Sequence, residues 1–218
     1  MKYIIANWKA NKNYTEAEEW INSFLKHDFA HVKKNTQIVI CPPSPFIPLL
    51  NSKIKNHPFI KIGAQDVSCF EKGSYTGEIT AKNLSGLITY VIIGHSERRK
   101  FFRETNQAFF QKHSLAKKYN ITPIFCLRSI RDKIPPRVDF IAYEPIAAIG
   151  TGKNESLEQI LSTKKKLELG NKIKFIYGGS VNENNASYYL KNDEIDGMLI
   201  GGASLDPEKF YKIIVQAG

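Results

Sequence analysis

Cysteine is scarce in this 218-residue chain: three, Cys41, Cys69 and Cys126, lie far apart, with no C-x-x-C pair and no Cys–His cluster. That excludes a zinc ribbon and a disulfide framework, and it favours a reducing compartment. Long apolar runs are missing too. The longest, such as 91-VIIG-94, fall far short of the ~20 residues that span a bilayer. The opening MKYIIANWKANKN has too short an apolar stretch for a signal peptide and no small-residue cleavage site. No linker, low-complexity tract or break in composition divides the chain. The expectation is one domain over residues 1–218, in the cytoplasm, with no membrane contact.

What is there suits a folded globule: 42% hydrophobic and 24% charged residues. A chain of this length buries roughly 70% of its unfolded surface, enough for a core without disulfides. Lysine and arginine number 31 against 21 acidic residues, a net charge of +10. A nucleic-acid module would gather that charge on an aromatic-interleaved patch. Here the lysines are scattered (Lys33-Lys34, Lys117-Lys118, Lys164 to Lys166). The plainer reading is a basic surface whose field attracts a small anion, with no nucleic-acid partner.

Eight short apolar runs recur, each closing on a polar or glycine-bearing tip: 3-YIIAN-7, 37-QIVIC-41, 60-IKIGAQ-65, 90-YVIIGHS-96, 121-ITPIFC-126, 138-VDFIAYE-144, 173-IKFIYGGS-180 and 197-GMLIGGA-203. Several lack alternation, as parallel strands covered on both faces do. Helix-like stretches separate most of them. Thr15 and Glu18 form a candidate capping box before Trp20 and Phe24. Residues 105–118, 155–169, 183–190 and 207–215 also read as helices, the last opening on Asp206-Pro207. Alternating strands and helices in one domain predict an α/β fold, a (β/α)8 barrel. One step is anomalous. The runs at 121 and 138 start only 17 residues apart, and 127-LRSIRDKIPPR-137 carries Pro135-Pro136. A strand, two loops and a full helix do not fit there, so the fifth helix should be vestigial or absent. Ile130, Ile134, Phe109 and Phe110 are the side chains available to cover the gap.

In such a barrel the chemistry sits at the carboxyl ends of the strands. Those ends carry Asn7 and Lys9, Gln65, His95-Ser96-Glu97, Cys126, Glu144, Gly178-Gly179-Ser180 and Gly201-Gly202. Glycine-rich tips after the last two strands admit a phosphate to backbone N–H groups. Glu144 can serve as a general base, His95 can polarise a carbonyl, and Lys9 can offset negative charge. No metal-ligand cluster is evident. Chemistry on a small phosphorylated carbonyl compound uses every one of these groups.

At these residues the sequence resembles a known family. 7-NWKAN-11, 75-YTGEI-79, 91-VIIGHSERR-99, 142-AYEPIAAIGTGK-153, 177-YGGSV-181 and 198-MLIGGASL-205 resemble triosephosphate isomerase, in order, from Met1 to about Ala217. The resemblance implies a TIM barrel that interconverts dihydroxyacetone phosphate and D-glyceraldehyde 3-phosphate without a cofactor or metal, in glycolysis and gluconeogenesis. Glu144 resembles the carboxylate that moves the proton between carbons, and His95 the neutral imidazole that polarises the carbonyl. This family is itself the general worked case in which a helix N-terminus lowers the histidine's pKa and loop closure excludes water. Asn7 and Lys9 resemble substrate contacts. Gly150, Ser180, Gly201 and Gly202 resemble the phosphate cradle. Glu97, beside Ser96, resembles the carboxylate that positions the lysine, and Tyr177 with Ser180 the latch for a lid over 145–153. The 66–79 loop, with Thr76, resembles the one that makes a homodimer by entering a neighbour's site region.

Taken singly, these residues have plainer uses. A histidine after a buried strand can be a core residue, a glutamate before proline a cap, and Gly201-Gly202 a turn. The order and company of the motifs decide otherwise. Cys126 is read as packing, as are Trp8 and Trp20. His27, His31, His57 and His113 fall on expected helix or loop surfaces. Three departures stand out: the shortened 127–137 segment, Ser129 where the family carries a glutamate, and Ala147 where it carries the lid's hinge tryptophan. Losing the last two together should shift the lid's open–closed balance by about 0.5–1.5 kcal/mol, the worth of one hydrogen bond. Ala10 is also small for its position, which predicts a weakened dimer. A barrel that has traded turnover for binding and a sugar-phosphate epimerase remain the alternatives.

Overall fold

The computed structural model describes residues 1–32, 34–145 and 154–217. Eight parallel strands follow one another around a closed barrel: β1 (Lys2–Asn7), β2 (Thr36–Cys41), β3 (Ile60–Ala64), β4 (Tyr90–Ile93), β5 (Thr122–Leu127), β6 (Phe140–Tyr143), β7 (Lys174–Tyr177) and β8 (Gly197–Ile200). Closure comes from β8 lying beside β1, with Ala6 opposite Ile200. Outside run α1 (Tyr14–Phe24), α2 (Ile47–Lys53), α3 (Ala81–Leu84), α4 (Ser96–Phe101), α5 (Asn106–Lys118), α6 (Leu157–Lys166), α7 (Ala186–Leu190) and α8 (Pro207–Val215).

Two apolar layers result from the two faces of each strand. The inner one includes Ile5, Val39, Ile92, Ile124, Cys126, Ala142, Ile176 and Leu199, floored by Tyr3 edge-on to Phe140 at 4.8 Å. The outer one packs strands against helices, with Trp8 and Trp20 in edge contact at 4.8 Å. A strand repeats every two residues, so the step after each inner residue returns to the lumen at the carboxyl rim. Ile5 leads to Asn7, Ala142 to Glu144, Ile176 to Gly178 and Leu199 to Gly201. That parity is what assembles the rim.

No helix forms between β5 and β6, as the spacing predicts; the barrel closes nonetheless, since β5 and β6 pair directly, Cys126 beside Ala142. Phe109 is fully buried, and Phe110 and Ile134 pack onto the outer layer. Ile130 does not help: it is 50% exposed. Three other expectations are corrected. The capping box of α1 is Asn13 with Glu16, not Thr15 with Glu18; the Asn13 side chain accepts from Glu16 N–H at 3.0 Å, and the Glu16 carboxylate accepts from Asn13 N–H at 2.8 Å. The two boxes overlap in sequence, and the extended backbone at Asn13 decides between them. Helices expected over 155–169 and 183–190 are shorter, starting at Leu157 and Ala186. His113 is buried rather than exposed, and burial lowers its pKa. Asn13→Ala should destabilise the protein by about 1 kcal/mol, read as a lower urea midpoint at constant slope.

Candidate active site

A cavity of about 320 Å3 opens at the carboxyl rim, lined by residues that include Asn7, Lys9, His95, Glu144, Ser180, Gly201 and Gly202. Glu144 leaves β6 and points into it, 2% exposed. Its Oε1 lies 2.9 Å from His95 Nε2, and its Oε2 accepts from Ser96 N–H at 3.3 Å. Gly178 makes room for this side chain: a Cβ there would stand 3.0 Å from Glu144 Cγ.

His95 is the N-cap of α4, and its Nδ1 accepts from Glu97 N–H at 3.2 Å. That bond places the ring's proton on Nε2, facing Glu144. Burial works against the charged imidazole, but Glu144 and Glu97 together outweigh it, and the histidine's pKa is raised. The base itself lies on the ring, and its charge opposes the lowering that the resemblance implies from the helix N-terminus. Burial likewise opposes the charge on Glu144, yet His95, Ser96 N–H and Lys9 hold its pKa below the usual value.

Lys9 follows β1 in the left-handed region, φ 54°, a conformation that long side chains rarely take. Three neighbours hold it there. Asn7 Oδ1 accepts from Lys9 N–H at 3.1 Å, Gln65 donates to the Lys9 carbonyl at 2.9 Å, and Lys9 Nζ pairs with Glu97 at 2.5 Å. Gln65 stood among the strand-end residues without a role; only the fold shows that it ties β3 to the lysine's backbone. Gly201 lies against the Lys9 stem, and Ser204 donates to its carbonyl at 2.6 Å. Ser180 sits at φ 48° at the mouth. The Tyr177 hydroxyl accepts from Glu155 N–H at 3.2 Å. Gly150 and Ala147, with the rest of 146–153, lie outside the described residues. Cys126, read as packing, is fully buried on the inner face beside Ala142. No group of three or more potential metal ligands gathers among the described residues.

A carboxylate and an imidazole in contact, beside a paired lysine and glycine tips, make this a (β/α)8 barrel with an acid–base rim. The triosephosphate isomerase family model matches residues 2–134 and 132–217, two segments that meet inside the helix-less stretch. The chain belongs to the triosephosphate isomerase family. It is 38% identical to triosephosphate isomerase of Dictyoglomus thermophilum, over 98% of each chain. It is 36% identical to that of Mesomycoplasma hyopneumoniae over 99% of each, and 35% identical to that of Aquifex aeolicus over 98% of each. The first alignment runs over 247 positions against this chain's 218 residues, so the relative carries residues that this chain lacks.

Proposed function

We propose that this protein interconverts dihydroxyacetone phosphate and D-glyceraldehyde 3-phosphate, with Glu144 as the base. The observation that carries the reading is the Glu144–His95 contact at 2.9 Å within the rim cavity. Substrate enters between the two groups. The ionised Glu144 takes a proton from C1 of dihydroxyacetone phosphate while His95 Nε2–H donates to the oxygen on C2, where enediolate charge develops. Glu144 then returns the proton to C2, and His95 serves the two oxygens. Lys9, steered by Glu97, offsets the negative charge, with Asn7 beside it. Ser180, Gly201, Gly202 and Gly150 receive the phosphate, while Ser96 N–H fixes the base and the Tyr177 hydroxyl holds Glu155 N–H. No step calls for a metal or cofactor. Free Cys41, Cys69 and Cys126 are in keeping with the reducing cytoplasm, and among the described residues no helix is long and apolar enough to cross a membrane.

The test is a coupled assay in both directions with purified protein. Turnover of either triose phosphate supports the reading; phosphate-ligand binding without turnover favours the binding-only barrel and sinks it.

The working form is proposed to be a homodimer through 66–79. Phe70, Tyr75 and Ile79 on that loop, and Phe101 and Phe102 at the end of α4, expose large apolar area that a second copy would cover. Thr76 would then approach Asn7 and Lys9 of the neighbour. Ala10 removes some apolar burial at ~25 cal/mol per Å2, so the dimer should be weaker than is usual in the family. Sedimentation at micromolar concentration should show a dimer; a fully active monomer there would overturn this assignment.

A further inference from the structure

The segment that replaces the barrel's fifth helix is built around one carboxylate. Asp132 Oδ2 accepts from Arg128 N–H at 2.8 Å and from its Nε at 3.1 Å, and Oδ1 accepts from the same guanidinium at 2.8 Å. The side chain is 9% exposed, and its Oδ1 lies 4.0 Å from Arg99 NH1. Arg99, in turn, is a buried cation with its side chain 5% exposed. Its Nε donates to the Gly94 carbonyl at 2.8 Å and its NH2 to the Cys126 carbonyl at 3.1 Å. Its face lies over the Phe109 ring at 4.3 Å. Gly94 takes φ +75°, and a Cβ there would stand 2.9 Å from the same guanidinium, so the backbone just before His95 is shaped around Arg99.

Those two carbonyls flank the reacting pair. Gly94 immediately precedes His95, while Cys126 immediately precedes Leu127, whose carbonyl accepts from Glu144 N–H at 2.7 Å. One guanidinium therefore pins both sides of the base–imidazole contact. A cation this deeply buried requires a counter-charge to stay in place, and among the described residues Asp132 is the carboxylate within 4.0 Å of it.

We propose that Asp132 is a positioning residue for His95 and Glu144, acting through Arg99, and that supplying this carboxylate is what the helix-less segment retains for the reaction. The inference rests on the isomerase reading for its kinetic part and on geometry for the rest. Loss of the counter-charge lets the guanidinium relax away from one or both carbonyls. The catalytic pair then shifts by a fraction of the distance that costs ~100-fold when a reacting group is misplaced by about 1 Å.

The experiment compares the full-length protein with Asp132→Ala, Asp132→Asn and Asp132→Glu. Turnover of dihydroxyacetone phosphate is measured after titrating active sites with phosphoglycolate. The 15N resonances of the His95 ring are recorded on unliganded samples. Asp132→Ala should lower kcat roughly tenfold per titrated site with KM within about twofold, the signature of a loss felt in the transition state. Asp132→Asn, which keeps the acceptor oxygen but not the charge, should fall between it and the parent protein. Asp132→Glu should recover part of the loss, and the His95 resonances should move in the same order.

If kcat per site and the ring resonances are unchanged in Asp132→Asn and Asp132→Ala, the proposal fails. It also fails if the whole loss in kcat is matched by fewer titratable sites, since that marks a structural role alone; should Asp132→Ala not fold, Asp132→Asn decides. An inactive parent protein would refute the isomerase reading while leaving the ring resonances to judge Asp132 separately.

Discussion

Glu144→Asp should lower kcat by about 100-fold while leaving KM nearly unchanged. The parent carboxylate is fixed from three directions: His95 at 2.9 Å, Ser96 N–H at 3.3 Å, and the bare Cα of Gly178 against its stem. Aspartate draws the carboxylate back by one methylene, and none of these neighbours can follow. His95 is held through Nδ1 by the start of α4, Ser96 N–H belongs to that helix, and Gly178 is the residue after β7. A base so displaced still ionises and still admits substrate, so the deficit falls on proton transfer rather than on phosphate binding. Steady-state kinetics in both directions check it. Near-full turnover in Glu144→Asp would remove Glu144 from the role of base, whatever the family resemblance.

The rim was readable because its information is local. Each apolar run ends on a polar or glycine-bearing tip, and a two-residue period carries Ala142 to Glu144 or Ile5 to Asn7 without any knowledge of neighbours. The missing helix was equally readable, since 17 residues between two strand starts leave no length for one. Contacts between distant segments were not. Lys112 has no distinguishing neighbour in the sequence; in the fold it is 4% exposed and bonded to Asp66 at 2.6 Å and Glu104 at 2.8 Å, with Arg98 closing the cluster. Burial pushes Asp66 up to about 6 against the pull of Lys112 and Arg98, a tension that no spacing in the sequence displays. Gln65, Arg99 and Asp132 were hidden for the same reason: each acts on a backbone or a charge brought from another strand. The segment around Asp132 read only as a loss. Competing local signals explain the cap of α1, where Asn13 and Thr15 each precede a glutamate by three residues and only the backbone at the helix start separates them.

His95→Gln tests the other half of the pair and gives two readouts with separate causes. The first is rate. In the proposed mechanism His95 supplies the donor aimed at the oxygen where charge develops, and removing one such donor costs about 10²–10³ in kcat. Glutamine retains an N–H, so the loss should lie nearer 100-fold. The second readout is pH dependence. Burial raises the pKa of Glu144, and His95 is the largest influence holding it down, ahead of Ser96 N–H and Lys9. Without the imidazole, burial is opposed only by the weaker two, and the carboxyl pKa moves upward. The base works ionised, so the acid limb of kcat/KM must shift to higher pH in the variant. Linkage gives the same sign for stability. With His95 present, the depressed pKa of Glu144 contributes stability above its ordinary value of 4.5, and this is lost as pH falls through the lower, folded-state value. With glutamine that contribution shrinks, and so does that of His95 itself, whose raised pKa stabilises the fold below its ordinary value of 6.5 and is lost as pH rises. The variant should therefore unfold more readily between those two ordinary values, at about pH 5 to 6. An unchanged kcat would refute the electrophilic role of His95. An acid limb that stays in place while kcat falls would show instead that the imidazole polarises substrate without governing the ionisation of Glu144, and that the 2.9 Å contact is not what keeps the base ready.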